Sequence, residues 1–315
     1  MSGQRVRSVR RPVHGVLLLD KPAGLSSNDA LQKAKRLYRA EKAGHTGTLD
    51  PLATGLLPLC FGAATKFSQS GLDADKAYRA TLALGRTTST GDAEGELLRE
   101  RVVDVTREQI ERACGAFVGN IAQTPPMHSA LKHEGRALYD YARAGIAIER
   151  APRAVRIDAI EIVEWCGDRL VLDVRCGKGT YIRSLAEDLG EALACGAHLA
   201  GLRRTASGAL RVADAHTLDA LAALTEGERD ALLAPADALL AAWPRLELDA
   251  GDAGRFLSGL RRRIDAEDAP RVRVYGPQRG AFLGSAHIAG GELIADRLLS
   301  PTEVKALLDA AQAIA

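Results

Sequence analysis

No two of the five cysteines in this 315-residue chain (Cys60, Cys114, Cys166, Cys176, Cys195) lie closer than ten positions. A CxxC pair that could seed a zinc ribbon or a dithiol couple is therefore absent. The seven histidines show no HExxH spacing, and the HxE…PCxxC pattern of a zinc deaminase is missing. Metal chemistry is not expected, and the thiols are expected to be reduced and mostly buried. Neither GxGxxG nor a Walker A run occurs, so no nucleotide cofactor is expected. Apolar runs fall well short of the roughly 18 residues that cross a bilayer, and the arginine-rich start is followed by too few apolar residues for a signal peptide. The expectation is a cytoplasmic protein away from membranes. Aromatic residues make up only 4% of the chain, which gives each exposed one more weight as a stacking surface.

What is present is enough apolar material for a real core, 46% of residues, in a chain long enough for one large domain and one small one. The net charge of +2 is unevenly placed: residues 1–49 hold ten Lys or Arg against three Asp or Glu. Such a face suits a polyanion, although residues 1–12 also read as a solvated basic arm. Arg203-Arg204 and Arg261-Arg262-Arg263 add basic clusters and point to nucleic acid.

Along the chain, GVLLLDKPAG predicts a short buried strand ending in a Pro-Gly turn. SSNDALQKAKRLYR follows as a helix with Ser26 and Asp29 at capping-box spacing and a basic outer face of Lys33, Lys35, Arg36 and Arg39. Residues 77–85 alternate as a strand with Tyr78, Ala80, Leu82 and Leu84 on one face. A helix is expected from about Thr106, capped with Gln109, then strands at 155–164 and 169–176. TYIRSLAEDLGEAL predicts an amphipathic helix. Strands and helices interleave without a regular βαβ repeat, so the expected class is α+β with a mixed or antiparallel sheet. The Ala/Leu-rich segment 212–240 is expected to lead out of this core, and the Gly-punctuated strands after Trp243-Pro244 predict a small β-barrel. The boundaries expected are 1–12 for the arm, 13–245 for the main domain and 246–315 for the small one.

The most informative stretch is GHTGTLDPLATG, residues 44–55. It is a glycine-bounded bend that carries one carboxylate, Asp50, and one imidazole, His45; its plain reading is a turn. An aspartate there would be ionised at neutral pH without special tuning and could serve as a nucleophile or charge stabiliser. If buried, it would need a cationic partner. Arg183 is a candidate, because it falls in the first turn of a predicted helix where the macrodipole disfavours a cation; it also reads as a snorkelling surface arginine. Tyr78 and Tyr181 are candidate stacking aromatics, with a core role as the alternative for the former. Residues 123–145 open on two prolines and carry Lys132, His133, Arg136 and Arg143, either a surface loop or an arm on an RNA backbone.

Several unlinked stretches agree on one resemblance. LDKPAGLSSN (19–28), GHTGTLDPLATGLLPL (44–59), KAYRATLALG (76–85), TPPMHSALKHEGRALYDYARAG (124–145), GKGTYIRSLAEDLG (177–190) and HLAGLRRTASG (198–208) resemble the TruB family of tRNA pseudouridine synthases. The tail RGAFLGSAHIAGGELIADRLL looks like the RNA-binding PUA domain of that family. The resemblance implies conversion of uridine to pseudouridine at position 55, in tRNA numbering, of the T loop, a rearrangement whose steps require no cofactor; the mixed surface suggests a monomer. It places the catalytic nucleophile on Asp50, the arginine that pairs with it on Arg183, and the aromatic stacked on the base on Tyr78. The histidine that helps hold the loop open falls on His45, and substrate contacts fall on Tyr181 and Leu202. Residues 124–152 correspond to the family's thumb. A catalytically silent RNA-binding or RNA-chaperone protein and a guide-RNA-dependent synthase subunit stand as alternatives.

Overall fold

The computed structural model describes residues 9–129, 131–278 and 280–314. Its frame is a nine-stranded sheet. The main path runs Gly15–Lys21, Thr54–Phe61, Ala197–Ser207, Lys76–Leu84, Arg169–Cys176, Arg153–Cys166 and Gly119–Gln123, with Ala43–His45 and Leu210–Arg211 attached at the sides. Among the described residues, the one parallel pairing in this sheet joins Ala197–Ser207 to Thr54–Phe61, and the remainder are antiparallel.

Two kinds of strand pattern follow from two kinds of cover. Lys76–Leu84 alternates because one face alone is packed: Ala80, Leu82 and Leu84 are buried against helix Ile182–Ala192, through its Ile182, Leu185, Ala186 and Leu189. Gly15–Lys21 and Thr54–Phe61 are nearly continuous apolar runs because both faces are covered. Leu17, Leu19, Leu57 and Leu59 pack against Ala30, Leu31 and Ala34 of helix Ser27–Leu37. Val16, Leu18, Leu56 and Cys60 share a core with Phe67 and with Val272, Phe282 and Leu293 of the C-terminal part. That part is a curled five-stranded sheet in the order Arg245–Glu247, Ala269–Tyr275, Phe282–Ala289, Glu292–Leu298, Arg262–Arg263. Lys66 fastens it further by donating to the Leu298 carbonyl at 3.0 Å.

Helix Ser27–Leu37 begins at the expected cap, with Ser26 Oγ accepting from the Asp29 N–H at 3.1 Å. The Thr106–Gln109 pair forms a full capping box. Residues 212–240 correct an expectation. They turn back on the first strand instead of leaving the core: Val16 and Ala234 exchange two backbone bonds of 2.9 Å, and His216 bonds to Leu18 and Asp20. Their alanines and leucines cover an otherwise open sheet edge, with Leu221 and Leu240 fully buried. Residues 1–8 of the expected basic arm lie outside the described residues. Arg11, further along it, is a folded anchor rather than a solvated cation, held by Asp230 at 2.6 Å and by the Tyr38 carbonyl at 3.0 Å. Among the described residues no helix is long and apolar enough to cross a membrane.

Candidate active site

Strands Ala43–His45 and Thr54–Phe61 pair antiparallel, with His45 opposite Leu59, so residues 46–53 form an excursion at one end of the sheet. Nearly every part of it is pinned. The Thr46 N–H donates to the Pro58 carbonyl at 3.1 Å, and the Gly24 N–H donates to the Pro51 carbonyl at 2.8 Å. Buried Ser27 accepts from the Leu49 N–H at 2.7 Å and donates to the Leu49 carbonyl at 2.9 Å. Leu49 and Ala53 are buried in the core under helix Ser27–Leu37. Gly55, where the loop rejoins the sheet, has φ of +95°. A Cβ there would lie 2.4 Å from the Arg204 carbonyl oxygen, so no other residue type fits the approach of these two strands.

Asp50 projects from this bend with a side chain 42% exposed, and Arg183 Nη2 lies 3.0 Å from its Oδ2. The oddity of a cation in a helix's first turn is thereby explained. Arg183, 6% exposed, also has Asp92 Oδ2 3.6 Å from its Nε. It donates to the Thr90 carbonyl at 3.3 Å and to the His128 carbonyl. Two carboxylates and two carbonyls offset the cost of burying the charge. Asp92 is itself held by Thr90 Oγ1 and by the Glu94 N–H at 3.1 Å.

Withdrawal from water lifts the Asp50 carboxyl above its ordinary range; Asp92 adds to the rise, while Arg183 and Lys21 oppose it. This is the direction expected of a partly buried carboxylate, and it makes Asp50 a stronger base than a free aspartate.

Tyr78 and Leu202 stand on neighbouring strands, Leu202 opposite Ala80 and Tyr78 opposite Arg204. Both lie at the seam of the two cores under the sheet. Tyr181 occupies the N-cap of helix Ile182–Ala192, its backbone gripped at both ends by Gln123, which donates to its carbonyl at 3.0 Å and accepts from its N–H at 2.7 Å. The Asp50 charge is felt by both phenols, so Asp50, Arg183, Tyr78 and Tyr181 form one electrostatic group. His45 joins through Arg204 instead: burial and that guanidinium push its pKa down, leaving a neutral imidazole whose buried Nδ1 has no partner among the described residues.

Lys21, Gln123 and Asp92 escaped the sequence reading. Lys21 is fully buried, donating to the Pro22 and Leu25 carbonyls at 2.8 and 2.6 Å, and burial pulls its pKa down to about 8. A lysine ending an apolar strand was the available signal. The Arg203-Arg204 cluster is corrected as well. Consecutive strand residues face opposite ways: Arg203 makes a bidentate pair with Asp20 at 2.9 and 2.7 Å, and Arg204 turns inward. At the third cluster, Arg262 is paired with Asp252 at 2.7 Å, whereas Arg261 stays 70% exposed with Glu292 at 3.7 Å and Arg263 is exposed.

The architecture is the mixed α/β pseudouridine synthase fold. It superimposes on the crystal structure of a Cbf5-Nop10-Gar1 complex with a TM-score of 0.72 at 25% identity, covering 92% of this chain and 86% of that one. For the archaeal box H/ACA sRNP Nop10-Cbf5 complex the TM-score is 0.71 at 24% identity, with 93% and 88% covered. The TruB family pseudouridylate synthase N-terminal domain matches residues 35–182, and the tRNA pseudouridylate synthase B C-terminal domain matches residues 183–241. Relatives called tRNA pseudouridine synthase B from Verminephrobacter eiseniae and Ralstonia nicotianae are each 58% identical, spanning 96% and 94% of this chain and 94% and 97% of their own lengths. The chain belongs to the TruB family.

Proposed function

We propose that this enzyme isomerises uridine to pseudouridine at position 55 of the T loop of tRNA, with Asp50 as the catalytic residue. The observation that carries the reading is the Asp50–Arg183 pair, 3.0 Å apart, with the Asp50 charge acting on Tyr78 and Tyr181. The reaction detaches uracil N1 from the ribose, turns the base and rejoins it through C5, with no net oxidation and no group lost. One carboxylate suffices, because no water has to be activated as in glycoside hydrolysis. Asp50 stabilises the reacting nucleoside, and a rigid loop keeps its oxygen in place. Arg183 holds the carboxylate until the base arrives and then screens the charge that develops.

The target uridine lies inside a folded loop and must be flipped out, which costs a few kcal/mol. Tyr78 stacks on the extruded base, Leu202 and Tyr181 line its pocket, and His45 takes part in holding the RNA loop open. Residues 124–152 close over the RNA. There the Arg136 guanidinium sits 4.7 Å from the centre of the Tyr141 ring, and Arg143 sits 5.4 Å from that of Tyr139, cations preorganised for phosphates. The base of this thumb is joined to the catalytic group through the Arg183–His128 bond and through Ser184 Oγ, which donates to the Thr124 carbonyl at 3.0 Å.

Release of tritium from C5-labelled uridine in a T stem-loop tests the proposal. The native protein is expected to release it, and Asp50→Ala to bind the RNA but release none. Equal release by both proteins rejects the role of Asp50; RNA binding without release by the native protein favours a silent RNA-binding protein.

A further inference from the structure

Arg204 is the largest fully buried side chain, 1% exposed, yet among the described residues no carboxylate lies within ion-pair distance of its guanidinium. Its neighbour Arg203 has Asp20, and Arg183 has Asp50 and Asp92. The Arg204 guanidinium donates to carbonyls instead: Nε to Leu56 at 2.7 Å and Nη2 to Gly47 at 3.1 Å. The second of these belongs to the catalytic loop. On the sheet, Arg204 lies directly opposite Tyr78. A buried guanidinium with no countercharge is expensive, and its position is between the segment that carries Asp50 and the phenol beside the flipped base.

We propose that Arg204 is a positioning residue for the isomerisation, fixing the catalytic loop through the Gly47 carbonyl while its charge holds Tyr78 as the phenolate that takes the proton from C5. This rests on the function proposed above. Once the new C1′–C5 bond has formed, the C5–H bond must break. Tyr78, having given its own proton to solvent, receives the C5 proton on its phenolate oxygen; the C5–H electron pair closes the C5–C6 double bond, the C6–N1 π pair moves onto N1, and N1 takes up a proton from solvent. The phenolate is the countercharge that Arg204 otherwise lacks. The groups facing Tyr78 are Arg204 from strand Ala197–Ser207, Cys176 from strand Arg169–Cys176 and Asp50 from the loop. Burial above all, with the Asp50 charge, pushes the phenol upward, and Arg204 pulls it down. The Cys176 thiol is itself pushed up to about 11 and stays neutral. Arg204 is thus the group that favours the phenolate.

Single-turnover tritium release from a C5-labelled T stem-loop, measured against pH, tests the assignment. Arg204→Gln is expected to slow release roughly a hundredfold, within the range of one general base, with RNA affinity changed less than about twofold. The rise of rate with pH should move to higher pH, because the group that lowers the phenol pKa is gone. On a Tyr78→Phe background the same substitution should add little further slowing. Arg204→Lys, which keeps the charge, should restore the native pH profile and much of the rate. An unshifted profile for Arg204→Gln, a loss that multiplies fully with Tyr78→Phe, or a loss of RNA affinity alone overturns the proposal. If Arg204→Gln does not melt cooperatively, Arg204→Lys decides: a displaced profile rejects the role and a native one supports it. A native protein that releases no tritium removes the proposed function instead.

Discussion

The loop proposed to be catalytic, residues 46–53, and the proposed thumb, residues 124–152, are both irregular and rich in Gly or Pro, and they meet at Arg183, but they are built in opposite ways. In residues 46–53, Thr46, Leu49 and Ala53 are buried, and Gly24, Ser27, Pro58 and Arg204 hydrogen-bond the backbone from outside. In the thumb, Lys132, His133, Arg136 and Arg143 are exposed, and the ties to the core are concentrated at its base. A reacting carboxylate must be held to a fraction of an ångström. Cations that meet phosphates work over several ångströms and gain from adjustable reach. Damage to the loop should therefore appear in turnover and stability, and damage to the thumb in RNA affinity.

The sharpest break of that comparison is Asp50→Ala. Turnover should fall by roughly 10⁴-fold or more, as expected when a group at the reacting bond is removed, while tRNA affinity by filter binding stays close to native. A comparable loss of affinity would make Asp50 a binding group and blur the distinction.

Next in size is Gly55→Ala, which puts a methyl where the Arg204 carbonyl stands at 2.4 Å and forces a side chain onto φ of +95°. Destabilisation of about 3 kcal/mol in urea unfolding is expected from strain plus backbone displacement. A shift below about 0.5 kcal/mol would show the loop to be looser than its contacts indicate.

The thumb should respond differently. Arg136→Ala combined with Arg143→Ala should weaken T stem-loop binding by roughly tenfold at low salt and flatten the salt dependence. Turnover at saturating RNA should hold, and stability should change by less than about 0.5 kcal/mol. A fall in turnover with unchanged affinity would instead make the thumb part of the chemical apparatus.

How much of this could be read beforehand depended on whether a signal is local. The Gly-bounded bend with Asp50, the capped helices and the alternation of residues 77–85 are carried by neighbouring residues, and the structure has them. Arg183 stood out because a cation at a helix start is locally awkward, which points to a distant partner without naming it. Gln123, Asp92 and Ser27 gave no such hint: each acts through bonds to segments at least 22 positions away in the case of Ser27 and 58 in that of Gln123. Arg203 and Arg204 were misjudged because HLAGLRRTASG has no clean alternation, hiding the strand that sends one arginine to Asp20 and buries the other. The segment 212–240 was misread for a related reason, since its apolar residues cover an edge that exists only once the sheet has formed.

The smallest expected effect concerns pH and separates function from stability inside the loop itself. Asp50 has its folded pKa raised above the ordinary 3.8, so the native state holds that proton more tightly than the unfolded chain does. Below 3.8 the carboxyl is protonated in both states and contributes no difference. As pH rises through the folded value, ionisation costs the native state stability. Turnover, which needs the carboxylate, gains over the same interval. The acid limb of the pH–rate profile should therefore have its midpoint above 3.8. Asp50→Asn, inactive, should gain stability relative to the native protein on going from pH 3 to pH 7. Both sides follow from urea midpoints and initial rates across that range. A variant whose relative stability is flat with pH would mean that Arg183 fully offsets the desolvation of Asp50, making the loop a relaxed structure rather than one that gives up stability to keep a basic carboxylate at the cleft.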